Sequence, residues 1–331
     1  MTTSTQGNVF GYRNHKGTSS PNQCRHLVVY LSRDVIHSVE LEGTVPSSKS
    51  PVVAGWELAL RLRRRREELS LDVKTITDEL GFTRNYWSAV ENERKLLSEE
   101  NLTKLIALFQ LDEADGQELL DLRAAAREHN WPADYAELLD TRLQRLYGIE
   151  DGADRVRIYD SLLVPGLLQT PEYTRAITAP AVTLPQVEVD QRIEVRQRRQ
   201  ERLTGRTPLR LTAVISEAVL RQQIGGPAVL YQQLTHLADM TDAHPDTIDI
   251  QVVPFTATSC GLFGSATVNI FDFDNPRLPT IAWQETVTTW GFIDDPIQIR
   301  DLVTTFNAAL TDTLSAPESA AMIRRYIQEL A

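Results

Sequence analysis

SLDVKTITDELGFTRNYWSAVE, residues 70–91, holds two short runs of helical periodicity separated by a single glycine. Ile76 and Leu80 mark the apolar face of the first run, Trp87 and Val90 that of the second. Asp72 and Thr83 each precede a run, where a side-chain oxygen accepts a hydrogen bond from the unpaired amides of a first helical turn. Gly81 ends the first run, because a helix that stops abruptly leaves its next residue at positive φ, which glycine reaches without steric cost. Thr77, four residues earlier, keeps the side chain small where the two helices cross. The stretch therefore reads as a helix, a tight corner and a second helix whose first residues project outward.

Working outward, Leu58, Leu62 and Leu69 extend the pattern upstream, and Leu102, Leu105 and Leu108 extend it downstream behind a Ser98 cap with acidic residues in its first turn. Four helices between Trp56 and Leu111 make an all-α unit. The expected organisation is a weakly structured tail over 1–52, a helix-turn-helix domain over 53–112, a helical connector over 113–154 and an α+β domain over 155–331. The tail is rich in Ser, Thr, Gly, Asn and Pro, with only CRHLVVYLSRDVIHSVEL able to pair as strands. The connector begins with an amphipathic helix, GQELLDLRAAAREH, and continues as an irregular bridge, WPADYAELLDTRLQRLYGIEDGADR. Beyond it, β-rich runs (VRIYDSLL, LRLTAVIS, TIDIQVVPF, ATVNIFDF, TIAWQETV) alternate with helical ones. Thr170, Pro171 and Glu172 spell a helix start, and Gly225, Gly226 and Pro227 end one helix and open another.

With 331 residues, 42% apolar and 24% charged, the chain has the composition of an ordinary multi-domain globular protein. No apolar run is long enough to span a membrane, and the first residues lack the cationic start and apolar stretch of a secretory signal, so a cytoplasmic location is expected. Cys24 and Cys260 stand alone, which argues against a disulfide framework or a thiolate metal site. No GxSxG, HExxH, Cys-x-x-Cys or GxGxxG pattern is present. Glu217, after a strand, is the best isolated acid, with no second carboxylate or base tied to it; His236 and His244 read as surface or capping groups. Neither an enzyme nor a bound cofactor or metal is expected.

Residues 62–108 resemble the helix-turn-helix of the repressor group that includes the lambdoid phage repressors and Cro. LRRRREELSLDVKTITDELGFTRNYWSAVENER is similar, without gaps, to that group's LRxLRExxGLSxxxLAxxLGxSxxxxSxxExGR. The resemblance implies that Arg84, Asn85 and Ala89 read bases and that Thr83, Tyr86, Ser88, Arg94 and Lys95 touch the DNA backbone. It also implies an ion pair between Arg66 and Glu91. Arginine suits guanine O6 and N7, asparagine suits adenine N6 and N7, and alanine suits the thymine methyl. Three residues depart from the pattern. Arg65 replaces a leucine, leaving its aliphatic stem to fill the core. Ser70 and Glu93 replace glycines, at a cost of up to ~1 kcal/mol if positive φ is required there.

In the second half, IYDSLLVPGLLQTPEYTRAI, LRLTAVISEAVLRQQIGGPAVLYQQLTHLADM, IDIQVVPF and GLFGSATVNIFDF resemble the uncharacterised domain that follows the helix-turn-helix in many actinomycete regulators of the WhiJ-like, antitoxin-like kind. That resemblance implies regulation, with a small protein encoded nearby as a partner. Arg192, Arg196, Arg198, Arg199 and Arg202 read as the solvent face of one helix, with a nucleic-acid contact as the alternative. Phe255, Phe263, Phe271, Phe273, Trp283, Trp290 and Phe292 read as the core of a sheet, with the lining of an apolar small-molecule pocket as the alternative.

The formal charge of −11 is unevenly spread. Residues 55–95 carry nine basic against eight acidic side chains, and residues 96–160 carry fifteen acidic against seven basic. Over a screening length of ~8–10 Å a basic reading face tolerates distant acidity. A head so nearly neutral needs doubling, so a homodimer on a two-fold site in double-stranded DNA is expected. The reading is a DNA-binding transcriptional regulator with a signal- or partner-sensing second domain. Its rival is an antitoxin-like interaction module that captures a small protein and binds DNA only for autoregulation.

Overall fold

A computed structural model describes residues 50–179, 185–286 and 289–331. The expected tail up to residue 49, with its strand pair and Cys24, lies outside the described residues.

The head opens with α1 (Pro51–Glu68), which has proline in its first turn where no amide partner is lost. Then follow α2 (Val73–Leu80), α3 (Arg84–Glu91), α4 (Glu99–Leu108) and α5 (Glu113–Ala125). Asp72, Thr83, Ser98 and Asp112 cap α2 to α5, each accepting a backbone N–H with its side chain. Ile76, Trp87, Val90, Leu102 and Leu105 are buried together, and α5 adds Leu119 and Leu122 to the same core.

The stretch expected as an irregular bridge is more ordered than its sequence suggests. After a 3-10 turn at Trp131–Tyr135, Asp140 caps a regular helix, α6 (Thr141–Gly152). Two glycines make this helix intrinsically poor, yet they let it pack closely. A Cβ on Gly148 would lie 2.2 Å from a Val52 methyl, and one on Gly152 would lie 2.5 Å from a Val53 methyl. The start of α1 lies against this glycine edge, and the Ser50 hydroxyl donates to the Gly148 carbonyl at 2.6 Å.

The second domain follows in the order β1 (Arg155–Asp160), α7 (Pro171–Thr178), α8 (Gln186–Thr204), β2 (Arg210–Ser216), α9 (Glu217–Arg221), α10 (Pro227–Ala243) and β3 (Ile248–Val253). It continues with β4 (Thr267–Asp272), β5 (Ile281–Glu285), β6 (Trp290–Ile293), α11 (Pro296–Ala309) and α12 (Ala316–Leu330). Among the described residues these strands form one mixed sheet, β3-β2-β1-β4-β5-β6. The β3-β2-β1 half is parallel, as helical crossovers require, and the remainder is antiparallel. Alternate side chains feed two cores. Val156, Ile158, Leu211, Ala213 and Ile250 join one, while Tyr159, Val214, Val268 and Ile270 join the other with Phe306 of α11. β6 carries no signal in the sequence, being a four-residue edge strand.

The aromatic cluster divides. Phe271 and Trp283 are fully buried sheet core and Phe273 nearly so, but Phe255, Phe263 and Trp290 are exposed. Arg198 of α8 is exposed as the solvent-face expectation has it, but other arginines of that helix depart from it. Arg199 is buried and pairs with Glu150 through two hydrogen bonds of 2.7 and 2.8 Å. Arg196 donates to Gln169, and Arg202 donates to the Ala153 carbonyl at 3.0 Å. Only the apolar positions of α8 signal an inward face, and a guanidinium can follow them inward when a carboxylate or carbonyl waits there.

Candidate nucleic-acid interface

The corner between α2 and α3 is built as its residue types require. Gly81 sits at φ 67°, and a Cβ there would meet nothing within 4 Å, so backbone conformation rather than crowding selects glycine. Thr77 is buried at the crossing, its hydroxyl bonded back to the Lys74 carbonyl at 2.9 Å. The Thr83 side chain accepts the Tyr86 amide at 3.1 Å and so sets the direction in which α3 starts. The Asp72 carboxyl is held below the usual carboxylate range, first by the Thr75 amide and then by the Thr75 hydroxyl, with Arg84 a minor contributor.

Two faces of α3 differ sharply. Trp87 and Val90 are buried, whereas Arg84, Asn85 and Ser88 are exposed, with Ala89 half-buried beside them. Tyr86 is held between the Phe82 ring, 4.6 Å away between centroids, and the Lys95 ammonium, 5.2 Å from its own centroid. Arg94 is exposed in the turn after α3, where its amide and that of Lys95 both return to the Ala89 carbonyl. This arrangement brings Thr83, Arg84, Asn85, Tyr86, Ser88, Ala89, Arg94 and Lys95 onto one helix and its two flanking turns. At the far end, Arg66 Nε donates to the Glu91 carboxylate at 2.7 Å and Arg63 donates to the Glu91 carbonyl, so α1 grips the end of α3.

The basic run of α1 is turned inward for the most part. Arg61 pairs with Glu118 at 2.8 Å, and Arg65 donates to the Phe109 carbonyl at 3.2 and 3.0 Å. That bond explains the departure at Arg65: its guanidinium satisfies an orphan carbonyl at the end of α4, which leucine cannot do. Arg84, Arg94 and Lys95 carry no carboxylate partner among the described residues. Among the described residues, three of the near-neutral head's unneutralised cations thus lie around α3, with Arg64 exposed on α1 as another.

The two glycine replacements do occupy positive φ, Ser70 at 51° and Glu93 at 60°. Glu93 also reaches out of the head: both its oxygens accept from Arg145 of α6 at 3.0 Å, and that guanidinium lies 4.3 Å from the Phe292 ring of β6. Sequence reading missed this link, since nothing local connects residues so far apart. The head is tied down elsewhere by Trp56 packing edge-on to Phe273, by Asn275 donating to Glu57 at 2.9 Å and by Arg277 pairing with Glu118 at 2.7 Å.

In the second domain Glu217 is buried and committed on both oxygens, accepting from the Phe255 amide at 2.6 Å and from the Tyr326 hydroxyl. Burial holds His236 below the ordinary imidazole range. Among the described residues no group of three or more His, Cys, Asp and Glu side chains is arranged to hold a metal, and no helix is long and apolar enough to cross a membrane.

Residues 57–119 match a helix-turn-helix domain, in keeping with a DNA-binding regulator. Residues 143–325, more than half of the chain, match the family described as Domain of unknown function (DUF5753). The chain belongs to the DUF5753 family. Comparison with curated proteins and with solved structures gives no match. The DUF5753 match begins inside α6, so the helix carrying Arg145, Gly148 and Glu150 belongs to the matched region and faces the helix-turn-helix head.

Proposed function

We propose that this protein is a sequence-specific transcriptional regulator in which α3 enters the major groove of double-stranded DNA. Arg84, Asn85 and Ala89 read base edges; Thr83, Tyr86, Ser88, Arg94 and Lys95 hold the phosphate backbone. The observation that carries the reading is the two-sidedness of α3: an arginine and an asparagine exposed at its start, opposite a buried Trp87 and Val90. The helix is rigidly seated, so the exposed pair is presented in a defined direction, as base readout needs. A homodimer doubles the few free cations and sets two such helices on a two-fold site. The DUF5753 domain then serves as the part that receives a signal or a partner.

Selection of bound duplexes from a random pool, with full-length protein at low salt, tests this reading. A two-fold consensus is expected. Arg84→Ala with Asn85→Ala should relax preference at two positions in each half-site, at about 1–3 kcal/mol per lost bidentate contact. If the wild-type chain enriches no sequence, the regulator reading fails. If instead the double variant keeps its full preference, the assignment of these two readers fails.

A further inference from the structure

Behind the recognition helix, head and second domain line a solvent-open cavity of about 650 Å³. This volume lies within the ~300–1,000 Å³ typical of small-molecule sites, and interfaces between domains are where such sites concentrate. Trp56, Ala59 and Leu62 of α1, Val90 of α3, Leu97 and Phe292 give it apolar walls. Its charged lining is unbalanced: Arg94, Lys95, Arg142 and Arg145 stand against a single carboxylate, that of Glu93. Glu93 is taken up by Arg145, which leaves Arg94, Lys95 and Arg142 without a carboxylate among the described residues.

We propose that this cavity binds a small apolar molecule carrying one anionic group. The apolar body lies against Trp56, Ala59 and Leu97, and the anion sits among Arg94, Arg142 and Arg145, where the cations of the lining outnumber its one carboxylate. The same anion competes with Glu93 for Arg145. Glu93 stands at a φ of 60°, a conformation disfavoured for any residue with a Cβ, and the Arg145 bond restrains it there. Occupancy therefore loosens the turn that follows α3, and bound DNA and bound anion oppose one another by linkage. This regulatory consequence rests on the DNA-binding reading above; the site itself does not.

The test uses full-length protein without DNA and two fluorescent probes that differ by one group: 1-anilinonaphthalene-8-sulfonate and its neutral counterpart N-phenyl-1-naphthylamine. The sulfonate is expected to saturate a single site per chain and to bind about tenfold more tightly than the neutral probe, the size of one charge-assisted hydrogen bond. Arg142 is exposed and its side chain has no partner among the described residues, so Arg142→Glu leaves the fold alone and should weaken the sulfonate by a similar factor without moving the neutral probe. Ala59→Leu, which narrows the apolar wall, should weaken both. Absence of saturable sulfonate binding, equal affinity for the two probes, or sulfonate binding untouched by both substitutions overturns the proposal. An intact probe site in a protein that selects no duplex would count against the DNA reading alone. Lost probe binding in a protein that selects one would count against the cavity alone.

Discussion

Glu93 carries two opposed contributions in one side chain. Its φ of 60° strains the backbone, by roughly 1 kcal/mol for a residue with a Cβ, while its carboxylate makes a paired, half-buried bridge to Arg145. The two separate by substitution. Glu93→Ala loses the bridge and keeps the strain; Glu93→Gly loses the bridge and relieves the strain. In urea unfolding the glycine variant should therefore be the more stable of the pair by about 1 kcal/mol, with both below wild type if the bridge outweighs the strain. Equal stabilities would mean that the turn relaxes out of positive φ once Arg145 lets go. Ser70, at φ 51° and exposed, serves as the reference: with no side-chain bridge to lose, Ser70→Gly should gain roughly 0.5–1 kcal/mol. That these two positions depart from glycine is visible in the sequence, but why one of them does so is visible only through Arg145, fifty-two residues away.

Helices α2 and α3 were legible from their sequence because every determinant is local: a capping Asp72 and Thr83, a terminating Gly81, and apolar residues at helical spacing. α6 was not, because its glycines answer to another helix. Their four-residue spacing places both on one edge, and the lack of two Cβ atoms is what lets α1 come close. Gly148→Ala forces a new methyl against Val52, so it should destabilise the protein by about 1–3 kcal/mol in spite of alanine's better helix propensity. A compensating Val52→Ala should restore part of the loss in thermal unfolding. No recovery in the double variant would show that the two helices do not meet through these residues.

Linkage between the helix-turn-helix head and the sheet runs through α6, which offers Arg145 toward the turn after α3 and Glu150 toward α8. The Glu150–Arg199 pair is nearly dry, with side-chain exposures of 3% and 10%. Burial alone pulls the Arg199 guanidinium down, but the Glu150 charge overrides it and holds the group above its ordinary value. Arg196, half-buried beside it and bonded to Gln169, is pulled down to about 10 by desolvation and by the Arg199 charge. Glu150→Gln leaves a buried cation with no countercharge and should cost about 3–5 kcal/mol, whereas replacing both partners by apolar residues of similar size should cost much less. Denaturant unfolding of the single and double variants distinguishes the two, and equal losses would mean that the pair stabilises by packing rather than by charge. The chain's own order of residues was enough to announce a helical head with an outward-facing Arg84 and Asn85, and a mixed α and β domain after it, since caps, turns and apolar periods act over a few neighbours. It could not announce which arginines of α8 turn inward, nor that a cavity forms behind α3. A long guanidinium side chain reaches solvent or a distant carboxylate with equal ease, and only the packed chain decides which carboxylate is within its reach.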